Sequence, residues 1–138
     1  MSFVLIRHAS AGERAAWLGD DGLRPLDEHG REQARMLAER LVEHGITRIL
    51  SSPAVRCVDT VAPLAGALGL NVEIEAALAE GASREDALRL LLQSRDGAAF
   101  CTHGDVLAEL LGAEGQKGTA RIAELEGERL SVLEEVQT

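Results

Sequence analysis

Two histidines, two arginines and a glutamate carry the chemistry that this sequence offers, and each lies just beyond a short apolar run. Arg7 and His8 follow residues 3–6, and Arg56 follows 46–50 by way of Ser51, Ser52 and Pro53. Glu80 follows 72–74, and His103 follows 98–101 and precedes Gly104. A guanidinium is a fixed fork of N–H donors that matches the oxygens of a phosphoryl group. A neutral imidazole, with a reference pKa of about 6.5, is a nucleophile at phosphorus near neutral pH. A second imidazole can donate to an equatorial oxygen as charge builds there. A protonated carboxyl can deliver a proton to a leaving oxygen. Glu80 is the candidate for that role, and Glu13 in the first loop is its rival. The cationic side chains do the neutralising, so the pattern requires no metal and no cofactor. Its carboxylates are also too few and too loosely spaced for a two-metal site.

Such residues need a scaffold that gathers distant loops at one edge. The four apolar runs read as short buried strands. Between 27 and 45, Ala34, Leu37, Ala38, Leu41 and Val42 recur at helical spacing, with Asp27 as cap and Gly45 as stop. Ser52 and Pro53 read as the cap and first residue of a helix that reaches Leu68 and stops at Gly69. Pro63 bends or breaks it. Ser83 and Asp86 form a capping-box-like pair before a third helix, and 105–111 is a fourth. The tail reads as two extended segments joined near Glu126 and Gly127, a hairpin. Residues 9–26 read as a long loop. Strands alternating with helices predict an α/β three-layer sandwich over a single domain, 1–138. Its central sheet is mostly parallel and flanked by helices, and the C-terminal hairpin adds edge strands. Ligands bind beyond the carboxyl ends of strands in such sheets, which is where all five residues fall.

Composition narrows the function. The chain has 138 residues, 46% of them hydrophobic, enough for one core. Phe3, Trp17 and Phe100 are its only aromatic residues, so packing rests on Leu, Val, Ile and Ala. A net charge of −9 disfavours nucleic acid as a partner, and an anion site must be a compact Arg and His cluster. Cys57 and Cys101 show no CxxC spacing and read as buried free thiols of a reducing cytosol. The start of the sequence has no signal-peptide pattern, and no segment reaches membrane-spanning length, so the expectation is a cytoplasmic protein without a membrane partner. His29 and His44 fall on polar helix positions and read as solvated. Ser51 and Ser52 read as caps first and pocket donors second. Asp21 and Arg24 pair with each other or with the pocket, and Trp17 covers the pocket mouth or anchors its loop.

The stretches RHAS (7–10), SSPAVRC (51–57) and CTHGD (101–105), in that order and each after a strand, resemble the histidine phosphatase superfamily, with its phosphoglycerate mutase-like fold. The resemblance implies that His8 becomes phosphorylated. It implies that Arg7, Arg56 and His103, with Gly104 and Ser10, bind the phosphoryl group. The chain lacks the long insertions of the mutases and is similar to the small phosphohistidine phosphatase type. GDDGLRPLDEHGREQA (19–34) and KGT (117–119) are similar to the histidine phosphatase module often fused behind a Nudix domain. The implied activity is that of a metal-independent phosphatase with a phosphohistidine intermediate. Its substrate would be a phosphohistidine protein or a small phosphomonoester. The alternatives are a nucleotide or polyphosphate hydrolase of the Nudix-associated type and a non-catalytic phosphate-binding regulatory module. The implied assembly is a monomer or weak dimer, with a Nudix hydrolase as associated partner.

Overall fold

The computed structural model of the chain describes every residue, 1–138. Six strands form one sheet in the order β3-β2-β4-β1-β5-β6. They are β1 (Ser2–Arg7), β2 (Arg48–Ser51), β3 (Val72–Ile74), β4 (Ala98–Thr102), β5 (Ala120–Glu126) and β6 (Arg129–Val136). The first four are mutually parallel, and β5 and β6 join antiparallel as the predicted hairpin beside β1. Four helices complete the sandwich: α1 (Glu28–Leu41), α2 (Val55–Leu68), α3 (Arg84–Gln93) and α4 (Gly104–Leu111).

The pleat explains why the inner strands are so short and apolar. Successive side chains leave a strand on opposite faces, and here both faces are covered. Val4 and Ile6 pack with Leu37 and Leu41 of α1 and Val61 and Leu64 of α2. Phe3 and Leu5 pack on the other face with Leu88 and Leu91 of α3 and Val106 and Leu107 of α4. Phe3 meets Phe100 edge to face, with ring centroids 5.4 Å apart.

Helix boundaries differ from the sequence reading in three places. α1 stops at Leu41, and a turn carries the chain to Gly45, whose φ is +70°. α2 begins at Val55 behind Ala54, not at Pro53. Pro63 neither breaks nor ends α2. The carbonyl that loses its helical donor there belongs to exposed Asp59, where water can replace it. The Asp27 and Ser83 caps form as expected, accepting from the N–H groups of Gly30 and Asp86. The 9–26 segment holds two short 3-10 turns, Arg14–Ala16 and Asp21–Leu23. Trp17 anchors this loop, its indole N–H donating to Asp20 O at 2.8 Å, and does not line the cleft below it.

Candidate active site

Arg7 ends β1, and His8 is the next residue. The ring of His8 is fixed by its own backbone: Nδ1 lies 2.9 Å from Ala9 O. A carbonyl only accepts, so Nδ1 carries the proton and Nε2 keeps a free lone pair. The pKa of His8 falls from 6.5 to about 3, first because burial disfavours the charged ring. Repulsion from the neighbouring His103, Arg56 and Arg7 adds to this, and only the Ala9 hydrogen bond opposes it. The result is a neutral imidazole far below neutral pH.

His103 stands at the head of α4, its ring centroid 5.3 Å from that of His8. Its Nε2 lies 2.8 Å from Ser52 Oγ and 3.5 Å from Cys57 Sγ. Ser52 Oγ also accepts from the N–H of Ala54 at 3.2 Å. His103 Nδ1 is a buried atom with no hydrogen-bond partner. Gly104 must be small: a side chain there would press on the Arg7 guanidinium, with Cζ 3.0 Å from the added carbon.

Arg56, the second residue of α2, is 2% exposed. Its terminal nitrogens reach Asp21 O at 2.8 Å, the Asp21 carboxylate at 3.1 Å and Glu80 Oε2 at 3.3 Å. Arg7 donates to Gly115 O. Nε of both arginines, like His103 Nδ1, is buried without a partner. A buried unpaired donor costs about 1–3 kcal/mol, so native proteins keep few of them. Four such atoms occur; the fourth is Arg121 Nε of β5, and the other three come from β1, α2 and the β4–α4 junction, from residues that act electrostatically on His8.

A cleft of about 460 Å³ opens over Arg7, His8, His103 and Gly104, and no apolar side chain lines it. Glu80 stands between this cleft and a neighbouring hollow that takes in Arg56, Leu23 and Pro53. Arg14 bonds the Glu80 carboxylate at 2.7 Å and is the main cause of its lowered pKa. His103 and Arg56 pull the same way, so Glu80 is ionised. Its Oε2 lies 3.7 Å from His103 Nδ1. Glu13 lines the cleft. Ser10 does not: its hydroxyl donates to Asp27 at 2.7 Å, which ties the loop after β1 to the cap of α1. Asp21 serves both of its predicted partners, Arg24 at 2.8 Å and Arg56 at 3.1 Å. His29 and His44 are exposed, and both cysteines are buried and free.

The profile of the histidine phosphatase superfamily (branch 1) matches residues 3–85, a span holding Arg7, His8, Arg56 and Glu80. The chain belongs to the histidine phosphatase superfamily. It is 38% identical over 114 residues to the 8-oxo-(d)GTP phosphatase of Mycolicibacterium smegmatis, covering 78% of this chain and 35% of that protein. The chain thus spans about a third of that relative's length. Among solved structures, the protein histidine phosphatase SixA complexed with tungstate superposes with a TM-score of 0.83 at 20% identity, over 99% of this chain and 97% of the other. A phosphoserine phosphatase from Entamoeba histolytica, in complex with 3-phosphoglyceric acid, superposes at 0.75 with 15% identity, over 99% and 97%. At those identities the likeness is one of fold.

Two supporting residues escaped the sequence reading. Gln33 of α1 accepts from the N–H of Ser10 at 2.9 Å and donates to Lys117 O at 3.1 Å. Arg121 of β5, 6% exposed, donates to Ala113 O and Glu114 O at 2.9 Å each. The signal for Gln33 was available, because a polar residue falls on the buried stripe beside Ala34 and Leu37. Gly30 on the same stripe was a second signal: a side chain there would overlap Ser10 O.

Proposed function

We propose that the chain is a phosphoric monoester hydrolase that works through phosphorylated His8 without a metal. The observation that carries this is the free Nε2 lone pair of His8 among Arg7, Arg56 and His103, each of which keeps a buried side-chain nitrogen without a partner. In the first step Nε2 attacks phosphorus, the bond from phosphorus to the leaving atom breaks, and that atom departs with the electron pair. Arg7, Arg56 and His103 hold the phosphoryl oxygens as charge redistributes. In the second step water attacks the same phosphorus and the P–N bond breaks. The electron pair returns to Nε2, and the water proton passes to phosphate or solvent.

Glu80 is ionised, so it has no proton to give in this state. Leaving groups that depart without one are therefore preferred. Protein phosphohistidine and activated small phosphomonoesters meet that condition, and the open polar cleft admits either. Nucleotides meet it too when an anhydride is cleaved, and the 38% likeness to an 8-oxo-(d)GTP phosphatase favours this second reading. The two Nudix-module-like stretches carry the reading of association with a Nudix hydrolase. Two buried free thiols suit a reducing cytoplasm, and no helix is long and apolar enough to cross a membrane.

The test is a parallel turnover screen in excess chelator. It covers an aryl phosphate, a phosphohistidine protein, sugar phosphates and nucleoside di- and triphosphates. Turnover persists, fastest on leaving groups that need no proton. Activity lost in chelator and restored by magnesium or zinc overturns the proposal.

A further inference from the structure

We propose that Lys117 binds a second phosphoryl group of the substrate, joined by an anhydride bond to the one that His8 receives. The cleft then prefers phosphoanhydrides, such as nucleoside di- and triphosphates, to phosphomonoesters. This deepens the reading of His8 as nucleophile and rests on it.

Lys117 is the only lysine in the chain, and it lines the same cleft as Arg7, His8 and His103. Every other cation lining that cleft is engaged. Arg7 bonds Gly115 O, Arg14 pairs with Glu80 and Asp21, and Arg24 pairs with Asp21 and donates to Ala11 O. The Lys117 ammonium makes no ion pair, although Glu13 and Glu114 line the cleft with it. It is the one uncommitted positive charge at the mouth of an anion site.

Its backbone is fixed to the nucleophile. The N–H of Gly118 donates to Arg7 O at 3.2 Å and His8 O at 3.1 Å, and the N–H of Arg7 donates to Thr119 O. Gln33 holds Lys117 O from below, and Arg121 and Arg7 hold Ala113, Glu114 and Gly115 by their carbonyls. Gly118 has a φ of +77° and no room for a side chain against Gln33. So many bonds on one exposed loop fix where its lysine starts. The lysine side chain supplies a mobile point charge, which suits a terminal phosphate better than a rigid fork would. The chemistry agrees with the ionised Glu80. When an anhydride is cleaved, the bridging oxygen keeps the electron pair and the departing phosphate carries the charge. A cation near that phosphate replaces the proton that Glu80 does not supply.

The experiment compares inorganic pyrophosphate with orthophosphate as inhibitors of aryl phosphate hydrolysis by the full chain and by K117A and K117R. The readout is the ratio of the two inhibition constants. The native chain holds pyrophosphate about tenfold more tightly, the scale of one charge-assisted contact. K117A brings the ratio close to one, and K117R keeps most of it. A ratio near one in the native chain, or a ratio unchanged in K117A, overturns the proposal. Failure of the underlying reading would appear separately, as aryl phosphate turnover that survives His8→Ala.

Discussion

The floor and the rim of the cleft are both made of charged and polar side chains, and they handle that charge differently. On the floor His8, Arg56 and His103 are at most 6% exposed, and a side-chain nitrogen of each of Arg7, Arg56 and His103 has no partner. On the rim Arg14, Glu80 and Asp21 are partly exposed and pair with one another. Exposed pairs of that kind are worth about 0–1 kcal/mol each. Buried donors without partners are costly, and an anion that satisfies them recovers that cost. On the proposed reading, the difference puts the binding energy for a phosphoryl group on the floor and leaves the rim to set the leaving group and the approach.

Substitutions can break this comparison, and the largest effect belongs to His8. His8→Ala should abolish turnover while circular dichroism and orthophosphate affinity remain close to native; residual turnover near the native rate would remove His8 from the centre of the account. Arg56→Ala should lower kcat/KM about a hundredfold, close to 2.7 kcal/mol, the usual loss for one donor to a developing anion. A near-native rate would move Arg56 from floor to rim.

Acid sharpens the comparison through stability. Unfolded His8 takes up a proton below about pH 6.5, but folded His8 does so only near 3. Its contribution is therefore complete above pH 6.5 and is lost as pH falls from there toward 3. By pH 5 the loss from this group is about 2 kcal/mol relative to neutral. Urea midpoints measured from pH 7.5 to 5 should fall, and the His8 ring should show no NMR titration in that range. A ring that titrates near 6.5 would contradict the buried neutral imidazole.

The smallest effect should come from the rim. Glu80→Gln should change aryl phosphate turnover by less than about threefold, because an ionised carboxylate gives that leaving group no proton. A far larger loss on an alkyl phosphate than on an aryl phosphate would instead make Glu80 the acid.

The floor was legible in the sequence because each of its residues follows an apolar run directly or within a helical turn or two, and a parallel sheet brings such ends to one edge. RHAS, SPAVR and THG needed only the order of strands to converge. The helix caps at Asp27 and Ser83 were legible for the same local reason. What local pattern could not give were contacts between segments distant in sequence. Ser52 follows the rule for a cap, but its hydroxyl serves His103, 51 residues away. Glu80 sits in the predicted region, yet its ionisation depends on Arg14, 66 residues away. Gln33 falls as a polar residue on the buried stripe of α1, which marks it as a support, but its partner Lys117 O lies 84 residues away and no periodicity names that partner.

The central claim is that phosphorus passes through His8 Nε2. A rapid alkaline quench of the native chain during turnover of labelled aryl phosphate tests it most directly. The account predicts a base-stable, acid-labile adduct that maps to His8, forms as fast as turnover requires, and is absent from His8→Ala. Label on another residue, or steady turnover with no adduct on His8, would contradict it.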